Sequence, residues 1–153
     1  MKKFSFCLLF IMCFFITGCG EPKSKEVTTL ERFTEVAENN GFVVIDNSDD
    51  YFGIDYIIDS RKANVGDSEI EMVVYDNSEN ADRTLKQHIE SFATLKSTAA
   101  AQKDVEGENY HTYFLVSNNR YMISTRVENT LIFSKDMVEN KDLIENVINE
   151  LGY

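Results

Sequence analysis

Tryptophan is absent from these 153 residues, proline occurs once, and there are only two histidines, three cysteines and seven glycines. Each shortage removes a class of chemistry. A zinc enzyme needs about three convergent nitrogen, oxygen or sulfur ligands and an open position, and His88 and His111 stand alone, with no His-Glu-x-x-His pattern. No glycine flanks a serine in the G-x-S-x-G manner of a nucleophile elbow, and no glycine-rich loop is present to cradle phosphate. Lysine and arginine number 15 against 26 aspartates and glutamates, so nucleic acid, which is held by clustered basic side chains, is not a partner this composition suggests. Pairs of acids are unavoidable at that density. Without tryptophan to stack on a sugar they do not argue for glycoside hydrolysis. The composition implies no catalytic residues, no metal ligands and no cofactor.

Apolar sequence is also short of what a membrane span requires. The longest such stretch, Phe4–Ile16, interrupted only by Ser5, Cys7 and Cys13, follows the positive Met1-Lys2-Lys3. Thirteen helical residues cover about 20 Å, against roughly 30 Å of hydrocarbon. A basic start, a short apolar centre and small residues after it are the parts of an export signal. The stretch closes on Ile16-Thr17-Gly18-Cys19-Gly20, which resembles the lipobox of bacterial lipoproteins: an aliphatic residue, two small or slender ones, then an obligatory cysteine. The resemblance implies a thioether-linked diacylglycerol on Cys19, cleavage before it and acylation of the new amine. The chain would then start at Cys19, hold no cysteine but the lipidated one, and form no disulfide. Loss of Lys2 and Lys3 with the leader leaves 13 basic against 26 acidic residues. An anionic bilayer repels such a domain, so a flexible tether over Gly20–Val27, reaching about 26–29 Å, should hold it clear of the surface.

From Thr28 onward the pattern alternates between helical and strand periods. Thr28 and Glu31 have capping-box spacing, Leu30, Phe33, Val36 and Ala37 form one helical face, and Asn40-Gly41 supplies a left-handed stop. Strands are expected at 42–46, 54–59 and 69–75, the last with Ile70, Met72 and Val74 on one side. Asp76 and Glu79 repeat the capping spacing before a helix reaching about Lys96, with Ala81, Leu85, Ile89 or His88, Phe92 and Leu95 as its stripe. Residues 97–109 read as a polar connection, with Ala99–Ala101 as a possible helical extension. Strands follow at 110–117, 120–127 and 131–134, then a helix over 137–151. Asn118-Asn119 fits a two-residue hairpin turn, where both positions need positive φ. The predicted order is α-βββ-α-βββ-α, with two similar halves: an α+β fold in which helices pack mainly on one face of an antiparallel sheet.

Two further stretches invite a functional reading. Asp46-Asn47-Ser48-Asp49-Asp50 places acids at calcium-loop positions 1 and 5, yet Tyr51 stands where the loop needs glycine and Ile57 where it needs a bidentate glutamate. A polar turn explains it better. The Asn118-Asn119 hairpin sets Val116 opposite Tyr121, Leu115 opposite Met122, Phe114 opposite Ile123 and Tyr113 opposite Ser124. One face then carries Tyr110, Phe114, Val116, Tyr121, Ile123 and Val127, suited to a core. The other carries His111, Tyr113, Leu115, Met122, Ser124 and Arg126, which is too apolar for a solvated face. Tyr113, Leu115, Met122 and Arg126 are therefore a candidate binding surface, unless the tether or a helix of the same chain covers them. Asn129-Thr130-Leu131-Ile132-Phe133 and Leu151-Gly152-Tyr153 are loosely similar to stretches of small lipoproteins of Gram-positive bacteria, a resemblance that implies no activity. The expectation is a non-catalytic domain, held at the cell membrane on its extracytoplasmic side by the Cys19 lipid, that binds an envelope protein. A cystatin-like module that binds a ligand or inhibits a soluble target is the alternative.

Overall fold

The computed structural model describes residues 23–153, so Cys19 and the expected export signal lie outside the described residues. Three helices and seven strands succeed one another as α1 (Leu30–Asn39), β1 (Val43–Asp46), β2 (Ile57–Val65), β3 (Ser68–Tyr75), α2 (Ser78–Ala93), β4 (Ala101–Glu106), β5 (Tyr110–Ser117), β6 (Arg120–Val127), β7 (Thr130–Met137) and α3 (Lys141–Glu150). The strands form one antiparallel sheet in the order β1-β2-β3-β7-β6-β5-β4. The α+β class stands as the periodicity implied. The seventh strand is β4, in the stretch read as a polar connection. Among the described residues it pairs only with β5, and it is exposed along most of its length. Its single inward apolar residue, Val105, left no alternation to read.

The helix starts move by one residue from their predicted positions. Thr29, not Thr28, caps α1 by accepting from the Arg32 N–H at 3.2 Å. Thr28 is instead buried, its N–H donating to the Tyr153 hydroxyl at 3.3 Å. Asn77, not Asp76, caps α2 through the Asn80 N–H at 2.9 Å, while Asp76 accepts from the Asn80 side chain. In both cases two neighbouring residues can cap, and the tertiary pull on the first leaves the second to do it. Helix α1 stops where expected, with Gly41 at φ +86° and its N–H on the Glu38 carbonyl. Helix α2 ends at Ala93, so the three alanines do not extend it. Strand β7 continues to Met137, delaying α3 to Lys141.

Both faces of the sheet are covered, by different helices. Phe33, Val36 and Ala37 of α1 and Ile144, Val147 and Ile148 of α3 pack on Ala63, Ile70, Met72, Tyr121, Ile123 and Ile132. The core face assigned to Tyr110, Phe114, Val116, Tyr121, Ile123 and Val127 lies in this layer. Helix α2 crosses the opposite face, with Leu85 against Val73, Tyr75 and Leu131, and Phe92 against Tyr113, Leu115 and Met122. The hairpin register is the one predicted, with Val116–Tyr121, Leu115–Met122, Phe114–Ile123 and Tyr113–Ser124 opposed. Asn118 and Asn119 hold φ of 51° and 60° in its turn. Ordered structure begins before Thr28: Lys23 and Lys25 are hydrogen-bonded to the 107–109 turn between β4 and β5. Gly107 is required there, because a Cβ at that position would lie 2.0 Å from the Tyr110 ring.

Candidate functional site

Helix α2 occupies the face proposed for binding. Leu115 and Met122 are fully buried, and Tyr113 nearly so, with its ring stacked on Phe92 at 6.4 Å. Arg126 lies at the edge of the same layer. Its Nη1 donates to the Glu128 and Asn109 carbonyls at 3.2 and 3.4 Å, and its Nε is 3.6 Å from Asp82 of α2. These four residues are core and edge packing, not a docking surface. The physical reason is the one that singled them out: a sheet face carrying Tyr, Leu and Met must be covered, and the stripe of α2 is the nearest cover. Cys19, the expected lipidation site, lies outside the described residues.

Beneath α2, His88 Nδ1 sits 2.9 Å from the Ser124 hydroxyl, which is completely buried. A serine and a histidine at that distance are the first two members of a hydrolytic triad. Here the ring packs on Phe133 at 4.7 Å and Phe92 at 6.0 Å, and burial pushes its pKa down to about 4. The pair pins the helix to the sheet with a neutral imidazole. His111, the other histidine, meets Asp104 across the β4–β5 pair at 2.7 Å.

The Asp46–Asp50 stretch forms a polar turn with a buried root. Asp46 accepts from the Ser48 N–H, Ser48 donates to Asp59 at 2.7 Å, and Asn47 donates to Glu71 at 2.7 Å. Glu71 is buried on β3 and also accepts from the Tyr51 hydroxyl, while Lys62 approaches Glu69, Glu71 and Asp50 at 3.6, 3.8 and 3.9 Å. Burial raises the Tyr51 phenol far above its ordinary range, with the Glu71 carboxylate adding to the shift. Of the acids that resembled a cation loop, Asp46 is held by the Ser48 N–H and by Arg61 at 3.1 Å, and Asp50 faces Lys62. Among the described residues, no group of three or more His, Cys, Asp or Glu is placed to hold a metal ion.

An enclosed hollow lies on the other face, where α3 leaves the β4–β5 edge uncovered. It is a cavity of about 160 Å³. Thr112, Phe114 and Ile123 form its floor, Ile148, Asn149 and Glu145 of α3 one wall, and Lys103 and Val105 of β4 the other. Lys25 and Tyr153 close the ends. Glu145 is engaged by Lys141 and by the Tyr121 hydroxyl at 3.1 Å, and burial raises the pKa of that phenol, the Glu145 carboxylate adding to the rise. With its acid so occupied, the hollow presents an apolar floor between two lysines, in a chain whose formal charge is −11. Sequence reasoning missed it because the hollow joins an unpredicted strand, a helix and the N-terminal segment. No short stretch carries its signature.

The fold and the hollow define a class, a three-layer α+β domain with a small amphipathic cleft at one sheet edge. No protein-family model matches the chain, and neither a curated protein nor a solved structure matches it significantly.

Proposed function

We propose that this protein is a membrane-anchored extracytoplasmic lipoprotein, attached through Cys19, that acts as a non-catalytic binding module for an envelope protein. The observation that carries the binding part is the hollow beside α3. Its volume of about 160 Å³ is half the lower limit of roughly 300 Å³ for pockets that hold a whole drug-sized ligand. It suits a single apolar side chain or chain end of a protein partner, seated on the Phe114 and Ile123 floor. Among the described residues β4 is the outermost strand of the sheet on this side, so a partner segment can add backbone hydrogen bonds to the same contact. The size of the cleft favours this over capture of a free small molecule.

The anchoring part rests on the Ile16-Thr17-Gly18-Cys19 motif and its setting. Two acyl chains give stable attachment where one gives only marginal binding. Among the described residues no helix is long and apolar enough to cross a membrane. Cys19→Ala is expected to abolish incorporation of labelled fatty acid and to release the protein from membranes; label on that variant would overturn the assignment. Binding is tested with a photo-crosslinking residue at position 103 in native membranes, and another at the exposed Glu90 of α2. The expected result is an adduct from position 103 alone, lost in Val105→Glu with unchanged melting. Equal adducts from both positions, or none from 103, would reject the cleft.

A further inference from the structure

The course of the N-terminal segment selects the end of the domain that meets the bilayer, given the lipid-anchor reading of Cys19 on which this inference rests. Residues 23–25 are fastened to the β4–β5 turn: the Glu108 N–H donates to the Lys23 carbonyl at 2.7 Å, the Lys25 N–H to Asn109 Oδ1 at 2.9 Å, and Asn109 Nδ2 to the Lys25 carbonyl at 2.8 Å. The Lys25 ammonium also lies 4.5 Å from the centre of the Tyr110 ring. Between Cys19 and Lys23 only four residue steps remain, about 13–14 Å when fully extended. A domain of this size has a radius of gyration of about 14 Å. The leash is therefore too short for the far end of the sheet to turn toward the membrane. The stand-off expected from an eight-residue tether does not survive this fastening.

Hydrogen bonds running across the sheet identify what lies at the near end. The Glu128 N–H donates to the Asn109 carbonyl at 2.9 Å, the Tyr75 N–H to the Asn129 carbonyl at 2.8 Å, and the Asp76 N–H to the Tyr56 carbonyl at 3.0 Å. The turns at 107–109 and 128–129, the end of β3 and the 52–56 loop thus share this end. The hairpins at Gly66-Asp67 and Asn118-Asn119 occupy the other. Among the described residues, four of the seven exposed large apolar side chains gather at the near end: Phe52, 95% exposed, Ile58, 63%, Val27, 44%, and Tyr56, 38%. Val27 and Ile58 line one shallow hollow with Leu30 and Val74. Lys23 and Lys25, at the root of the leash, lie among the carboxylates Glu26, Asp55, Asp76, Glu108 and Glu128, so the apolar side chains and not the net charge of this end favour contact with the bilayer.

We infer that this end docks on the lipid bilayer itself, with Phe52 and Ile58 entering the boundary between headgroups and acyl chains. Lipidated protein purified from membranes is placed on vesicles of phosphatidylcholine and phosphatidylglycerol. A nitroxide is attached at Asp55→Cys, beside Phe52, or at Asp67→Cys, at the far end. Accessibility to a water-borne nickel chelate is expected to be several-fold lower at position 55 than at 67, and to recover at 55 in the Phe52→Ser/Ile58→Ser variant. Fatty acid on Cys19 is measured on the same sample. Equal accessibility at 55 and 67 with fatty acid present, or shielding that the serine variant leaves unchanged, overturns docking and leaves anchoring intact. Absence of fatty acid overturns both.

Discussion

Burial lowers the His88 imidazole from an ordinary 6.5 to about 4, so the unfolded chain binds a proton that the folded chain refuses between those values. Stability gained from the neutral ring is complete above about pH 6.5 and drains away as pH falls toward 4. The full loss is on the order of 3 kcal/mol. Urea unfolding at pH 7 and 4.5 should show this drop, and His88→Gln should show a smaller one, since its amide does not titrate; equal drops would place the acid sensitivity elsewhere. Glu71 gives a second residue-level expectation. Truncation by Glu71→Ala strands the Asn47 amide and the Tyr51 hydroxyl together, while Lys62 keeps Glu69 and Asp50. It should cost about 3–5 kcal/mol, whereas Glu71→Gln keeps an acceptor for Asn47 and Tyr51 and should cost less than half of that. Similar urea midpoints for the two variants would contradict this account. Neither role was legible in the sequence. An acid on an alternating strand reads as solvent-facing unless the short turn that buries it, here 48–51, is known.

At the scale of elements, α2 is the piece whose position changes the meaning of its neighbours. The sequence showed that its stripe was apolar and that both faces of the β5–β6 hairpin were apolar as well. It did not show that the two belong together, because helix and hairpin are joined by 97–109, which carries little periodicity. With α2 in place, Leu115→Glu and Met122→Glu each bury a carboxylate among Phe92, Tyr113 and the helix. A buried, unpaired charge exceeds the whole margin of a typical domain, so the double variant should be unfolded by circular dichroism at room temperature. A folded double variant would mean that α2 detaches readily and that the face is available after all. The hairpin itself was legible to the residue, since two asparagines with positive φ leave one register open to the flanking strands.

For the molecule as a whole, closure rests on its last residue. Tyr153 is buried, its hydroxyl bonded to Thr130 of β7 and receiving the Thr28 N–H ahead of α1. It joins both termini to the sheet and lines one end of the cleft beside α3. Tyr153→Phe leaves the buried Thr28 N–H without its acceptor, while the Thr130 hydroxyl keeps the Val127 carbonyl, and should cost about 1–3 kcal/mol in urea unfolding. Amide exchange at Thr28 should quicken in parallel; a variant as stable and protected as the parent would show that α1 and α3 pack independently of this contact.

What this sequence determined by itself is what short-range physics controls. Periods of two and 3.6 residues marked most of the strands and all three helices, and the asparagine pair set a register. The tertiary structure alone decided three matters. Helix α2 went to the second face of the sheet because that face was apolar and unoccupied. Residues 101–106 became a strand because the edge of β5 offered backbone partners that their own side chains did not announce. The N-terminal segment lay down against the β4–β5 turn because Asn109 presented both an acceptor and a donor to Lys25. Each joins residues far apart in sequence, and no local pattern records such a contact before the chain has folded.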